Sequence, residues 1–229
     1  MSKEDRVHAQ LELLADFRVK TIKAAGSPET APEAVESGVY PEGTETVHQL
    51  KITLRSVKPP VWRRIQVVSN TSLGELSHML EGVMGWHGGH LHAFDVDGTD
   101  YSPPDPDWDS DDLDENNYRL GDVLPTLGAK MTWDYDFGDG WRHNVLVEAI
   151  TPAESELTYP LCLAGKRACP PDDCGGPWGY AEILRALQDP NHPDRDDFLA
   201  MVPMGFDPGR FDLQQGQAAL GAPRPLEGW

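Results

Sequence analysis

At 229 residues the chain can bury a sizeable core, and 39% hydrophobic with 8% aromatic residues is the composition of a globular protein. Asp and Glu number 38 against 19 Lys and Arg, and the net charge of -19 repels phosphate backbones and anionic headgroups, which argues against nucleic acid as a partner. No apolar run approaches the ~20 residues that span a bilayer, and the N-terminal MSKEDRVHAQ lacks the basic-then-apolar order of a signal peptide, so a cytoplasmic protein with no membrane partner is expected. With that compartment, the odd set Cys162, Cys169 and Cys174 reads as free thiols or metal ligands rather than as a disulfide framework.

In chain order, Val7, Leu11, Leu14 and Phe17 recur at helical spacing, which predicts an amphipathic helix within residues 1–25, and residues 26–46 have the Pro, Gly and acid content of a linker. The domain is expected over 47–220, with a tail at 221–229. Leu50, Ile52 and Leu54 alternate with polar residues, and Pro59-Pro60 separates this strand from a second at 61–68, where Arg63 shares a face with Val61, Ile65 and Val67. A guanidinium among apolar side chains calls for a carboxylate, and Asp136 is the expected partner. Ser72 to Glu75 has the capping-box pattern, and Leu73, Leu76, Leu80, Val83 and Met84 then form one helical face up to Gly85. A third strand follows near His90 to Val96, with His92, Phe94 and Val96 on one side.

From Asp95 to Glu115 there are nine aspartates and one glutamate without a Lys or Arg, and the prolines among them predict a solvated loop over 99–117 that is dispensable for folding. Asp105, Asp107 and Asp109 fall at the first three ligand positions of a calcium loop. Ser110 replaces its turn glycine and Asn116 its bidentate acid, which weighs against calcium. The stretch 131–148, MTWDYDFGDGWRHNVLVE, reads as a hairpin turning at Gly138-Asp139-Gly140, with Trp141, His143, Val145 and Val147 on one face of the return strand. Short helices are expected after Pro177 and around Phe198 and Leu213.

The crowding of rings, carboxylates, Arg142 and His143 around one turn marks it as the candidate site, with His90, His92, Asp136, Asp139, Trp141, Arg142 and His143 as candidate binding residues. His90, His92 and His143 with Asp136 or Asp139 could meet on a divalent metal, but no HxxxH or HExxH spacing pins two ligands together, so hydrogen-bonded core or rim histidines are the expectation. The cysteine gaps depart from zinc-knuckle pairs, and Cys174 near a helix start is the one candidate thiolate. No cofactor and no catalytic residue is assigned.

The runs PPVWRRIQV at 59–67, GWHGGHLHAF at 85–94, YDFGDGWRH at 135–143, YPLCLAG at 159–165, CPPDDCGGPWGY at 169–180 and DPNHP at 189–193 resemble the plasmid pRiA4b ORF-3-like family over about Val47 to Leu220. The resemblance implies a compact α+β domain found on mobile elements, including a TnpR-type passenger protein of an insertion element, and it implies no established activity. A recombinase needs a nucleophile ringed by arginines and a basic surface, and Arg63, Arg64 and Arg142 in acidic surroundings do not supply these.

The expected fold is α+β: a mixed β-sheet made of a β-grasp-like ββαβ core and a long hairpin, with the 72–84 helix across one face. The ββαβ order allows a crossover that sets the third strand parallel to the first. The segment 157–200 should cover the other side or an edge of the sheet. The expected function is a non-catalytic module that binds a protein segment or small molecule through the acidic, aromatic hairpin, with a metal-dependent hydrolase as the alternative.

Overall fold

The computed structural model describes residues 40–41, 43–104 and 110–221. The helix expected within 1–25, most of the linker, residues 222–229 of the tail, and Asp105, Asp107 and Asp109 lie outside that range.

One eight-stranded sheet organises the described chain, in the order β5-β4-β3-β6-β7-β1-β2-β8. Strands β1 (Thr46–Leu54) and β2 (Trp62–Val68) form the first hairpin, and β6 (Lys130–Tyr135) and β7 (Trp141–Pro152) the second. They share the sheet because β7 pairs antiparallel with β1, Val145 lying opposite Ile52 and Val147 opposite Leu50. A register shift at Gln49/Leu50 leaves Glu148 as an extra residue in β7, so that Val145 and Val147 before it and Ile150 after it stay on the core side. Helix α1 (Leu73–Met84) crosses one face of this sheet. Its start is the capping box the sequence spells: Glu75 N donates to Ser72 Oγ, and Ser72 N to Glu75 Oε2. Its end is Gly85 at φ 101, a conformation that excludes most side chains.

The crossover from α1 lands elsewhere than expected. Strand β3 (His92–Val96) pairs antiparallel with β6, three places from β1. Because β6–β7 and β7–β1 are also antiparallel, β3 runs opposite to β1 rather than parallel to it. Burial explains the choice: Phe94 and Trp133 are cross-strand partners, both fully buried, and that aromatic pairing is available only beside β6. The parallel pair that makes the sheet mixed is β4 (Thr99–Ser102) with β5 (Leu113–Asp114). Residues 99–117 are therefore not one solvated loop, since Tyr101 and Glu115 are buried.

Strand β8 (Leu161–Lys166) extends the sheet beyond β2, so the C-terminal segment does take the edge. Its helices, α3 (Gly176–Gln188), α4 (Arg195–Ala200) and α5 (Leu213–Leu220), follow a four-residue α2 (Leu120–Val123) in chain order. Helix α5 packs against both α1 and β8. Gln217 on α5 accepts from Cys162 N and donates to Pro160 O, occupying backbone groups that an edge strand would leave open. The C-terminal elements therefore share α1's side of the sheet. The opposite face carries Lys51, Trp62, Arg64, Glu148, Asp134 and Arg142, partly or fully exposed. Among the described residues no helix is long and apolar enough to cross a membrane.

Buried Arg63 makes no ion pair with a carboxylate among the described residues. Its Nε donates to Val83 O at the end of α1, its Nη1 to the carbonyls of Trp62, Lys166 and Arg167, and its plane lies 4.2 Å from the Phe211 ring centroid. The expected pairing with Asp136 is thus replaced by carbonyl oxygens, including one at the negative end of the helix dipole.

Candidate functional site

Three loops from distant parts of the chain meet at the turn of the β6–β7 hairpin: 85–91 after α1, 136–140 within the hairpin, and 169–176 before α3. The turn itself is built by Asp136. At φ 54 it reverses the chain, its Oδ1 accepts from Gly138 N and Asp139 N, and Gly140 N donates to its main-chain oxygen. Asp136 N in turn donates to Leu91 O, fastening the first loop to the turn. The third loop is fastened by Asp139, whose Oδ2 accepts from Gly175 N. The approach there is so close that a Cβ on Gly176 would sit 2.2 Å from Asp139 O, and Gly176 also has φ 66, so only glycine fits.

This docking brings His90, Asp136 and Asp173 together, with one potential ligand atom from each within 4.8 Å of the others. His90 Nδ1 is 3.5 Å from Asp136 Oδ2, and its Nε2 is 3.7 Å from Asp173 Oδ1. Beneath them Tyr135 is fully buried and its hydroxyl has no hydrogen-bond partner among the described residues. Burial, then the carboxylates of Asp172, Glu81, Asp136 and Asp173, hold the Tyr135 phenol well above its ordinary pKa. Asp172 accepts weakly from His87 N at 3.4 Å, and burial raises its pKa too.

The other histidines go elsewhere. His92 Nε2 pairs with Glu115 Oε2 at 2.9 Å in a buried site, with Glu81 3.9 Å from its Nδ1. His143 is fully buried in an aromatic box, its ring 4.7 Å from Trp133 and 5.4 Å from Trp86, and Nδ1 donates to Trp133 O. Trp141 lies in the same core, 6.0 Å from Trp86. Arg142 points to the opposite, wet face and makes a two-pronged pair with Asp134 at 2.7 Å on each prong. There a cleft of about 380 Å³ opens beside the turn, lined by Arg55, Asp134, Phe137 and Arg142 among others. Of the seven candidate residues, His90 and Asp136 meet, Asp139 fastens the neighbouring loop, Arg142 faces the cleft, and His92, Trp141 and His143 are interior.

Cys169 and Cys174 are not set up for nucleophilic chemistry. Burial and the Asp139 charge push Cys174 up to about 12, and burial raises Cys169 despite the nearby Arg63. Among the described residues no cluster of potential metal ligands includes a cysteine.

Residues 46–215 match the model of a family described as plasmid pRiA4b ORF-3-like protein. The chain belongs to that family. It is similar to the uncharacterized protein y4hQ of Sinorhizobium fredii (strain NBRC 101917 / NGR234), 38% identical over 148 residues, which are 64% of this chain and 76% of that one. It is also similar to the crystal structure of MM3350, a protein of unknown function from Methanosarcina mazei Go1, with a TM-score of 0.68 at 34% identity over 75% of this chain and 97% of that one. Neither relative brings a function with its name, so in this pRiA4b ORF-3-like protein the functional argument rests on its own residues.

Sequence reasoning passed over Asp172, Asp173, Glu81, Glu115 and the Tyr135 hydroxyl. The adjacent acids in CPPDDCGG were a signal, but the cysteines on either side drew the reading towards thiols. Glu81 gave no signal, because it sits beside the apolar stripe of α1 and its burial is set by loop 85–91 folding back over it.

Proposed function

We propose that this protein is a binding module whose ligand, a protein segment or small molecule, docks at the turn end of the β6–β7 hairpin. One observation carries the reading. Three of the five exposed large hydrophobic side chains among the described residues, Leu91, Phe137 and Trp178, sit on or beside the three loops that converge there. Large apolar side chains exposed near one another mark binding surfaces more often than scattered single ones do. Phe137 edges the cleft, where Arg55 and Arg142 offer cationic groups and Asp134 and Asp136 anionic ones, a mixed lining suited to a zwitterionic or peptide-like ligand.

The test is titration of the isotope-labelled protein with a panel of aromatic and basic dipeptides, in chelator, followed by amide chemical shifts. Shifts confined to residues 55–56, 90–91, 136–142 and 173–178, and lost in Phe137→Ser, support the reading; no shift at millimolar dipeptide, or shifts that survive Phe137→Ser, count against it. The alternative, a metal-dependent hydrolase, draws on the His90, Asp136 and Asp173 arrangement, since an ion held there could activate water. Hydrolysis of activated phosphate or carboxylate esters that disappears in His90→Ala would favour it.

A further inference from the structure

His90, Asp136 and Asp173 are spaced for something between them. Separations of 3.5 and 3.7 Å from the imidazole to the two carboxylates are too long for good hydrogen bonds. The two distances run from different ring nitrogens, of which one can face an ion, and one ligand atom from each residue lies within 4.8 Å of the others, near enough to close on the roughly 3.4 Å that a tetrahedral ion with bonds of about 2.0–2.2 Å imposes between its ligand atoms. Asp136 is already oriented for the role: Gly138 N and Asp139 N occupy Oδ1, leaving Oδ2 directed at His90. Outer hydrogen bonds of this kind fix a metal-binding carboxylate and tune its affinity. Asp173, with its side chain 79% exposed, is free to swing the remaining distance.

An independent observation points into the same place. The Tyr135 hydroxyl is fully buried, lacks a hydrogen-bond partner among the described residues, and lies in the field of Asp136, Asp172, Asp173 and Glu81, with His90 packed edge-on against its ring at 5.6 Å. A buried hydroxyl left unpaired is unfavourable. A ligand in the centre of the cluster would give it a partner and would offset the gathered carboxylate charge.

We propose that His90, Asp136 and Asp173 form a binding site for one divalent transition-metal ion, with the Tyr135 hydroxyl and Asp172 as hydrogen-bonding partners of the water that completes its shell. One imidazole nitrogen with two carboxylate oxygens is a donor set for zinc or manganese rather than for calcium, which takes six to eight oxygens. Two ligand carboxylates also balance the ion's charge. The site lies beside the proposed docking surface but does not depend on a dipeptide binding there, because ion binding and dipeptide binding in chelator are measured separately.

Full-length protein, purified without a polyhistidine tag and stripped with chelator, is titrated calorimetrically with Zn²⁺ and Mn²⁺. The expected result is one ion per chain at micromolar or lower Kd, with Mn²⁺ broadening the amide signals of His90, Asp136 and Asp173 first. Asp173→Asn, an exposed position that leaves melting unchanged, should weaken binding at least about tenfold, and Tyr135→Phe about tenfold, the size of effect an outer-shell partner has. His192→Gln, on another surface, should change nothing. The proposal is overturned by the absence of binding below about 100 µM, by a stoichiometry other than one, or by unchanged affinity in Asp173→Asn. Those outcomes would leave His90 as a side chain flanked by two carboxylates with no ion between them.

Discussion

At the scale of single residues, Arg63 shows how this core holds a cation through carbonyl oxygens. The guanidinium's planar fork reaches several carbonyls at once while its face stacks on Phe211, so Nε and Nη1 are paired though no carboxylate among the described residues forms an ion pair with it. Removing it strands the carbonyls of Val83 and Arg167, and Arg63→Met should lower stability by about 2–4 kcal/mol. Arg63→Lys should recover only part, because a point charge cannot reproduce the fork. Asp136→Asn, in contrast, keeps an oxygen for Gly138 N and Asp139 N and should cost less than about 1 kcal/mol; equal losses for Arg63→Met and Asp136→Asn in chemical denaturation would contradict this division. His143 supplies a second test at the same scale. Burial lowers its pKa from 6.5 to about 4, so the unfolded chain takes up a proton between those values that the folded chain refuses. Stability present above pH 6.5 is therefore lost as the pH falls towards 4, by about 3 kcal/mol for one proton over that interval. His143→Gln cannot take up that proton, and its stability should fall less steeply with acid than the parent's when both are unfolded at pH 7 and pH 4.5. Identical slopes would show that His143 is not the group responsible.

At the scale of elements, what was legible in the sequence was what is local. The capping box at Ser72 and Glu75, the alternation of β1 and the turn of the β6–β7 hairpin all appear where their residues place them, since each depends on neighbours a few positions apart. The acidic segment was misread because its aspartates mask two short strands and a capped turn: Asp114 accepts from Asn116 N, and the turn carries Glu115 inward to His92. Tyr101 is likewise held, edge-on to Tyr118 at 4.9 Å. The segment is therefore anchored at both ends, by β4 before residue 103 and by β5 and its turn after residue 112. Exchanging 104–111 for Gly and Ser residues of equal number should leave the melting temperature within a few degrees. Glu115→Ala should cost about 2–4 kcal/mol, because it leaves the other half of a buried polar pair unmatched. A large loss on exchanging 104–111, or none in Glu115→Ala, would contradict that anchoring.

Across the whole molecule, the site was only half legible, because His90, Asp136 and Asp173 are joined by loop docking rather than by any spacing along the chain. Their meeting depends on glycines that permit contact, such as Gly176 against Asp139, and no periodicity reports such a contact. Charge, however, is a property that composition announces and the fold concentrates. On the wet face near the β5 edge, Asp95 lies directly opposite Asp100 across the β3–β4 pair, a like-charge placement that weakens a sheet. Partial burial, then Asp95, Asp112 and Asp134, raise the Asp100 pKa, so its charged form is disfavoured by folding. Added salt screens this repulsion, but it also screens the favourable pairs Arg64–Glu148 and Asp134–Arg142. The more exposed pair, Asp134–Arg142, contributes about 0–1 kcal/mol, and part-buried Arg64–Glu148 is screened less by salt, whereas repulsion acts among an excess of acids that leaves the chain at -19. Repulsion should win, and the melting temperature should rise as sodium chloride goes from low millimolar to about one Debye length of 8 Å at 0.15 M. Asp100→Asn removes one member of the opposed pair at an exposed position. It should melt higher than the parent at low salt, with the difference shrinking as salt is added; a variant that melts lower, or a gap that widens with salt, would show that Asp100 makes a favourable interaction that outweighs its repulsion.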